Sequence, residues 1–491
     1  MVLAHFRSLL FVVLALACLP LADLGVSTRD PWGEVGRLLR GFVTPDFLEW
    51  RELSEALGYT VAFALLGVGL GAAGGFVMAL GFRRRAVRVL ASLVRSVHEL
   101  FWALLFLQFL GLNAITGVLA IALPYSGIFA KVIAEILDEA DRAPLRALPD
   151  GCGWLSEVFY ARLPGAWAAI RSYASYRVEC GLRSSAVLGF IGLPTMGFHL
   201  EAFFRSGSYS EVAALLLLFY LLISTLRFWL RPRLLPLWVL GAVLLLWERV
   251  DIDVANIVRF FTADIVPYPL RAPELAGDRL AALGSWLWML LRDQALPGLA
   301  ATLVLSQIAV VGVGLVTLVT FPLASRRFFG RVGRAVGHVI MVVLRSTPEY
   351  VLAYLFLQLW GPSMLPAIAA LALHNGGIIG TLVGRHADTV VLRRDAPRGL
   401  NLYGYEILPR VYGQFLAFLF YRWEIILRET AILGMLGVRT LGFYIDSALS
   451  ELRIDRVVVL IAVTGALNLV IDSLSRWVRE RLRLSTRVEQ A

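Results

Sequence analysis

The stretch RSVHELFWALLFLQFLG, Arg95 to Gly111, returns as RSTPEYVLAYLFLQLWG, Arg345 to Gly361, at an offset of 250. A second stretch, YRVECGLRSSAVLG from Tyr176 to Gly189, returns as YRWEIILRETAILG from Tyr421 to Gly434, identical at eight of fourteen positions and offset by 245. YARLP (160–164) and YEILP (405–409) keep that second offset, so one gap of about five residues reconciles the two registers. Apolar helices alike by chance would not repeat their polar residues in register. The linkers LLRGFVTPD (38–46) and IVRFFTADIVP (257–267) echo each other too. The chain reads as a tandem duplication with its seam near RFWLRPR (227–233), giving repeats over 1–230 and 231–491.

Of 491 residues, 58% are hydrophobic and only 17% charged, with a mean hydropathy of +0.74. Such a chain is a polytopic membrane protein. The net charge of +10 is carried by arginine, since Lys131 is the only lysine. The arginines flank apolar runs, in FRRRAVR (82–88), RFWLRPR (227–233), SRRFFGRVGR (326–334) and RWVRERLRLSTR (476–487). That is the pattern of cytoplasmic loops, not of a nucleic-acid surface. Cys18, Cys152 and Cys180 are odd in number and far apart, which speaks against a disulfide or a metal site. The first twenty-odd residues resemble a signal peptide, but read better as an uncleaved first span.

Six apolar segments per repeat are expected as spans, among them 7–24, 90–110, 166–190, 234–247, 336–360 and 411–437. With the N-terminus inside, every arginine-rich loop falls in the cytoplasm and the acidic stretches 23–34 and 250–258 fall outside. The expected fold is an all-α membrane protein of about twelve transmembrane helices with both termini cytoplasmic. Repeats with an even number of spans run parallel, related by an axis along the membrane normal with a shared pathway between them.

One long loop per repeat is of mixed composition, at 138–164 and 385–409. The first has Ala147, then Gly151, then Leu163–Pro164 thirteen residues on. This resembles the coupling loop of ABC importer permeases: a small-residue start, a glycine, a leucine–proline. Glycine permits the sharp turn, and the proline is read as starting the next span. The second loop departs from the pattern, with Ala396 where the first has Gly151. The motifs RS..E…FLQ..G, YR.E..LR and LG..G....G look like the phosphonate/phosphate-type branch of these permeases, over roughly 90–230 and 340–480. ALHNGGIIGTL (372–382) is similar to the branch's form, whereas the first repeat has Pro124 and Tyr125 in place of His374 and Asn375.

The resemblance implies two permease units fused in one chain, with the fold of a type I ABC importer permease and alternating access. It implies partners: a cytoplasmic ABC ATPase dimer, a periplasmic substrate-binding protein, and the bilayer of a bacterial inner membrane. Leu145, Arg146, Ala147, Gly151, Leu163 and Pro164, with Leu392, Asp395, Ala396, Leu408 and Pro409, are the implied ATPase-coupling residues. The implied cargo is phosphonate or a related phosphorus oxyanion, phosphate or phosphite.

Arg177, Glu179, Arg183 and Ser185, with their counterparts Arg422, Glu424, Arg428 and Thr430, are expected in the membrane, where charge is rare and usually functional. Glu179–Arg183 and Glu424–Arg428 share a helix face and are expected to pair. Either these pairs are structural, or some arginines offer a guanidinium fork to an oxyanion. Arg95–Ser96 and Arg345–Ser346 are further candidates, or simply a cytoplasmic helix end. The runs LGFIGLPTMG (188–197) and LGMLGVRTLG (433–442) should break the helices near the outer mouth. No G-x-x-x-x-G-K-[ST] loop, H-E-x-x-H or G-x-S-x-G occurs. The chain is therefore expected to be no enzyme and to bind no cofactor, ATP and Mg being used by the partner. Rival readings are a secondary transporter with parallel six-span repeats, or an intramembrane enzyme.

Overall fold

Apolar runs punctuated by glycine, proline and arginine give an all-helical chain in the computed structural model, which describes residues 2–28, 30–47, 49–141, 143–149, 151–247, 252–271 and 278–481. No strand occurs among the described residues. Residues 482–487 of the last arginine cluster and 250–251 of the second acidic stretch lie outside them. In chain order the principal helices are α1 (Val2–Cys18), α2 (Pro31–Val43), α3 (Trp50–Leu80), α4 (Arg85–Ser96), α5 (Glu99–Leu110), α6 (Ala114–Glu139), α7 (Leu163–Val187), α8 (Met196–Ser206) and α9 (Tyr209–Ser224). There follow α10 (Leu235–Leu245), α11 (Val254–Arg259), α12 (Arg279–Ala324), α13 (Arg331–Ser346), α14 (Glu349–Trp360), α15 (Met364–Thr389), α16 (Leu408–Met435), α17 (Leu441–Ser450) and α18 (Ile454–Arg481).

Among the described residues five helices (α3, α6, α12, α15 and α18) are long and apolar enough to cross a membrane, or up to eight spans if each of three bent pairs counts as one. The stretches 90–110 and 336–360, expected as single spans, are not straight: α4 meets α5 at 90° and α13 meets α14 at 93°. In the second elbow Pro348 forces the cause. A residue before proline is pushed out of the helical region, and Thr347 sits at φ −65°, ψ 120°. The first elbow has no proline. There His98 caps α5, its Nδ1 accepting from the Leu100 N–H at 3.1 Å. Trp102 Nε1 then donates back across the bend to the Val94 carbonyl at 3.2 Å. Each arm before the elbow closes on the middle of a long helix through a glycine. A Cβ on Gly127 would lie 2.5 Å from the Ala91 oxygen, and one on Gly377 2.7 Å from Leu344 Cβ.

The glycine runs break the helices as the sequence suggests, by the same device twice. Gly192 and Gly437 take left-handed backbone, φ 94° and 92°. The returning helix presses so close that a Cβ on Gly189 would stand 2.0 Å from Phe198 N, and one on Gly434 2.2 Å from Phe443 N. The turns are pinned to the preceding long helix by a threonine each. Thr60 Oγ1 accepts from Met196 N at 2.9 Å, and Thr302 Oγ1 accepts from Leu441 N at 3.1 Å.

The chain packs as two compact units, 46–261 and 1–45 with 262–491. These units and the sequence repeats divide the chain differently, because the leading helices of each repeat pack with the body of the other. In the discontinuous unit α1 lies against α12 and α16: Gln307 Nε2 donates to the Phe11 carbonyl at 3.1 Å, and the Phe11 ring meets Phe420 at 4.8 Å and Trp423 at 5.3 Å. The segment between α1 and α2 closes over the turn after α14. Ser27 N donates to Trp360 O at 2.9 Å, and Met364 N to Asp23 O at 2.8 Å. The continuous unit repeats the arrangement, with α10 along α3 and Phe260, just past α11, against Phe109 of α5 at 4.6 Å.

The glycine contacts give a direct check. Gly434→Ala should destabilise the protein by about 2 kcal/mol or more, because backbone must move to admit the methyl. Gly413→Ala, with nothing within 4 Å of its Cβ position, should be neutral. Thermal unfolding midpoints of the two purified variants in detergent compare them directly.

Candidate functional site

The elbow between α13 and α14 brings together residues that lie far apart in sequence. His374 and Asn375, from the middle of α15, are 1% and 0% exposed. Nδ1 of His374 is 2.7 Å from the Thr347 carbonyl at the bend, and its Nε2 is 3.7 Å from Glu349 Oε2 at the start of α14. Both ring nitrogens thus face oxygens of the elbow. Asn375 Nδ2 donates to Glu429 Oε2 of α16 at 2.7 Å, and Glu429 Oε1 is 4.0 Å from Arg422 Nη1. Three helices are thus tied by charged and polar groups in a buried setting. Ligand atoms of Glu349, His374 and Glu429 lie within 4.8 Å of one another. Asn375 and Arg422 already engage Glu429, and a guanidinium there opposes a metal ion, so the set fits a hydrogen-bonded network rather than a metal centre.

The first repeat builds the same place with different chemistry. Tyr125 and Ser184 stand where Asn375 and Glu429 do, and their hydroxyls meet at 3.1 Å. Pro124 replaces His374, yet a histidine still faces the elbow glutamate: His98 Nε2 is 3.7 Å from Glu99 Oε2. His98 in turn occupies the position of Pro348. Histidine and proline have exchanged places between the repeats while the histidine–glutamate contact is kept. Their hydrogen bonding differs, since Nδ1 of His98 accepts a backbone N–H whereas Nδ1 of His374 faces a carbonyl. With serine at the Glu429 position, Arg177 turns to aromatic partners. Its Nε donates to Tyr173 Oη at 2.7 Å, and its guanidinium lies over the Tyr173 and Tyr176 rings at 5.0 and 5.6 Å.

Several expectations need correcting. Arg183 Nη2 lies 3.6 Å from Cys180 Sγ, and no ion pair joins it to Glu179 among the described residues. On α16 Glu424 is buried and Arg428 half-buried, and a further pair, Arg422–Glu429, spans two turns. Seven residues come back to nearly the same helix face, so that spacing was available in the sequence. Ser185 Oγ donates to the Thr60 and Leu182 carbonyls at 2.8 and 3.0 Å, and Thr430 Oγ1 to Leu427 O at 2.6 Å. These hydroxyls bond helix backbone. Arg95 and Ser96 are no exposed helix end but 7% and 3% exposed at the elbow. Glu349, Glu429 and His98 were the residues missed, each a polar side chain inside an apolar run.

The two long loops are the second feature. In the first, a short helical turn (Ala143–Ala147) carries Leu145 and Arg146, and Gly151 takes φ 82°. In the second, Ala396 sits in an Arg393–Ala396 turn, and the left-handed residue is Gly399, φ 62°, three positions later. Leu392, Ala396 and Leu408 pack on the core of their unit, while Asp395 is exposed. Pro164 and Pro409 do not start their helical runs. Each follows a wide π-helical turn, Glu157–Arg162 and Leu402–Ile407, whose opened ladder accommodates the ring. Leu296–Pro297, well inside α12, has the same device, so leucine–proline marks the π turn and not coupling alone. Different ion pairs clamp the loops. Arg162 reaches Asp138 at 3.3 Å and Glu157 at 3.6 Å; buried Glu406 receives Arg410 at 2.6 Å and Arg393 at 3.6 Å. Both loops expose the same two residues: Leu155 and Tyr160 at 52% and 76%, Leu400 and Tyr405 at 88% and 80%.

Buried charge clusters on long apolar helices, with two clamped loops, define a polytopic membrane transport protein. The chain is 24% identical over 428 residues to the phosphate-import permease protein PhnE of Mycolicibacterium smegmatis, covering 80% of this chain and 77% of that protein. It is 29% identical over 228 residues to the phosphite transport system permease protein PtxC of Stutzerimonas stutzeri, covering 44% of this chain and 83% of that protein. It is 32% identical over 146 residues to the putative phosphite transport permease HtxE of the same organism, over 30% and 56%. No family model and no solved structure matches. The chain is thus similar along most of its length to a transport permease, and over shorter stretches to permeases named for phosphite and phosphonate transport.

The elbow network yields a measurable coupling. In a double-mutant cycle of Asn375→Ala and Glu429→Ala, chemical or thermal unfolding should give an interaction energy of about 1.5 kcal/mol or more, the worth of a hydrogen bond to a charged group. Additive losses would mean that the two side chains act independently.

Proposed function

We propose that this chain is the membrane permease of an ATP-driven, binding-protein-dependent importer of a phosphorus oxyanion such as phosphonate, phosphite or phosphate. The observation that carries this reading is the similarity to a phosphate-import permease along 80% of the chain. Relatives named for phosphite transport add to it. That the PtxC relative matches less than half of this chain while being itself 83% covered supports two fused permease units. In this reading the long helices, bent pairs and shorter apolar helices make up about twelve crossings in two parallel repeats. The protein sits in a bacterial inner membrane with both termini in the cytoplasm.

An ATPase dimer binds the loops at 138–164 and 385–409, and hydrolyses ATP with Mg; this chain holds neither. The matched exposed pairs Leu155–Tyr160 and Leu400–Tyr405 are the apolar anchors, because exposed aromatics set on a clamped loop suit a partner groove. A binding protein delivers cargo to the outer face. Closure of the ATPase dimer moves the loops, and through α7 and α16 the helices switch between inward- and outward-facing. Arg422 and Arg428 attract the oxyanion weakly rather than trap it, since carboxylates on the same helix temper their charge.

The test is reconstitution with a candidate ATPase in proteoliposomes. Binding protein loaded with a phosphorus oxyanion should stimulate ATP hydrolysis; stimulation by an amino acid or metal alone would sink the cargo assignment. Tyr160→Ala with Tyr405→Ala should weaken association with the ATPase about tenfold or more, as loss of interface anchors does. Unchanged association, measured by co-purification, would remove these loops from coupling.

A further inference from the structure

A cavity of about 960 Å³ opens where the α12–α13 loop meets the end of α15. Arg326, Arg327, Arg334, Arg345, Arg385 and His338 line it, and Asp388 is its one acidic lining residue. That carboxylate is committed to the loop: Oδ1 accepts from Ser325 Oγ at 2.7 Å and from Arg326 N at 2.9 Å. Arg327 is committed too, donating to the Asp388 carbonyl at 2.7 Å and to the Val390 carbonyl. For the side chains of Arg326, Arg334 and Arg385 no carboxylate partner is recorded among the described residues. Guanidinium groups gathered around one cavity repel one another, and an anion entering it relieves that repulsion. Their planar forks match phosphate oxygens.

Positive charge at a loop is ordinary in a membrane protein, but the repeats separate that general bias from a built site. In the register offset by 250, Glu135 of the first repeat stands where the second has Arg385. At this position the second repeat carries a cation on the cavity wall where the first carries an acid.

We propose that this cavity binds a phosphate-bearing anion, either the headgroup of an anionic phospholipid or a free phosphate. Bound there, the anion bridges the α12–α13 loop to the end of α15. That end runs through Val390 and Val391 into the 385–409 loop, where Arg410 also holds the Val391 carbonyl. Occupancy therefore stiffens one loop of the pair and not the other.

The experiment uses the purified full chain in neutral detergent, with thermal unfolding and native mass spectrometry as readouts. One arm titrates inorganic phosphate; the other adds phosphatidylglycerol against phosphatidylcholine. Saturable binding should appear in at least one arm, weakened about tenfold or more by R334Q/R385Q and retained by R334K/R385K. Saturation by inorganic phosphate assigns a free-anion site, and response to phosphatidylglycerol alone assigns a headgroup site. R227Q/R231Q/R233Q removes three exposed arginines elsewhere and should bind as the parent does. No binding in either arm, equal binding by R334Q/R385Q, or equal loss in the R227Q/R231Q/R233Q control would overturn the proposal.

Discussion

An ionised side chain on a helix surrounded by apolar residues is stable only beside a partner, and the two elbows exist to supply one. Each bends a chain segment by about a right angle, which delivers Glu99 or Glu349 to the middle of a neighbouring long helix. A straight span would have carried that glutamate along its own axis, a full helix away from α6 or α15. Gly127 and Gly377 make the approach possible, and in the second repeat the contact of Glu349 with His374 follows from it.

The duplication shows what the constraint tolerates. Histidine has moved from α15 in one repeat to the elbow in the other, and proline has moved the opposite way, while the 3.7 Å contact with glutamate is the same in both. What is preserved is therefore the pairing, not the residue position. The surroundings of that pairing are not preserved. One elbow joins a histidine, an asparagine, two glutamates and an arginine, and the other sets tyrosine, serine and a tyrosine-stacked arginine around its histidine and glutamate.

Much of this was legible in the sequence. The repeat, the membrane class and the helix-breaking glycine runs follow from pattern alone, since periodicity and glycine act locally. The elbows were not legible as bends. Only one of them has proline, and the hydropathy of 90–110 and 336–360 runs on across the break. Arg422–Glu429 was missed because pairing was sought only one helical turn away, where isolated helices favour it, whereas seven residues also return to nearly the same face. Glu349 and Glu429 looked like lone charges in apolar runs, and only the third dimension shows them sharing a neighbour.

The leucine–proline pairs illustrate why a motif and its mechanism need separating. The ring of Pro164 would strike the carbonyl four residues back in a regular helix, so the preceding turn widens to a π turn. Widening also shifts the face presented by residues before it, which is how Tyr160 and Tyr405 project outward while Val158 and Tyr403 turn in. The same wide turn before Pro297 lies inside a long helix and exposes no comparable loop. Leucine–proline thus marks a rotation in the helix, and only before Pro164 and Pro409 does a loop clamped by ion pairs stand upstream of it. Arg162 in one repeat and Glu406 in the other provide that clamp with opposite charges, which leaves the two loops alike in their exposed anchors and unlike in their stiffness.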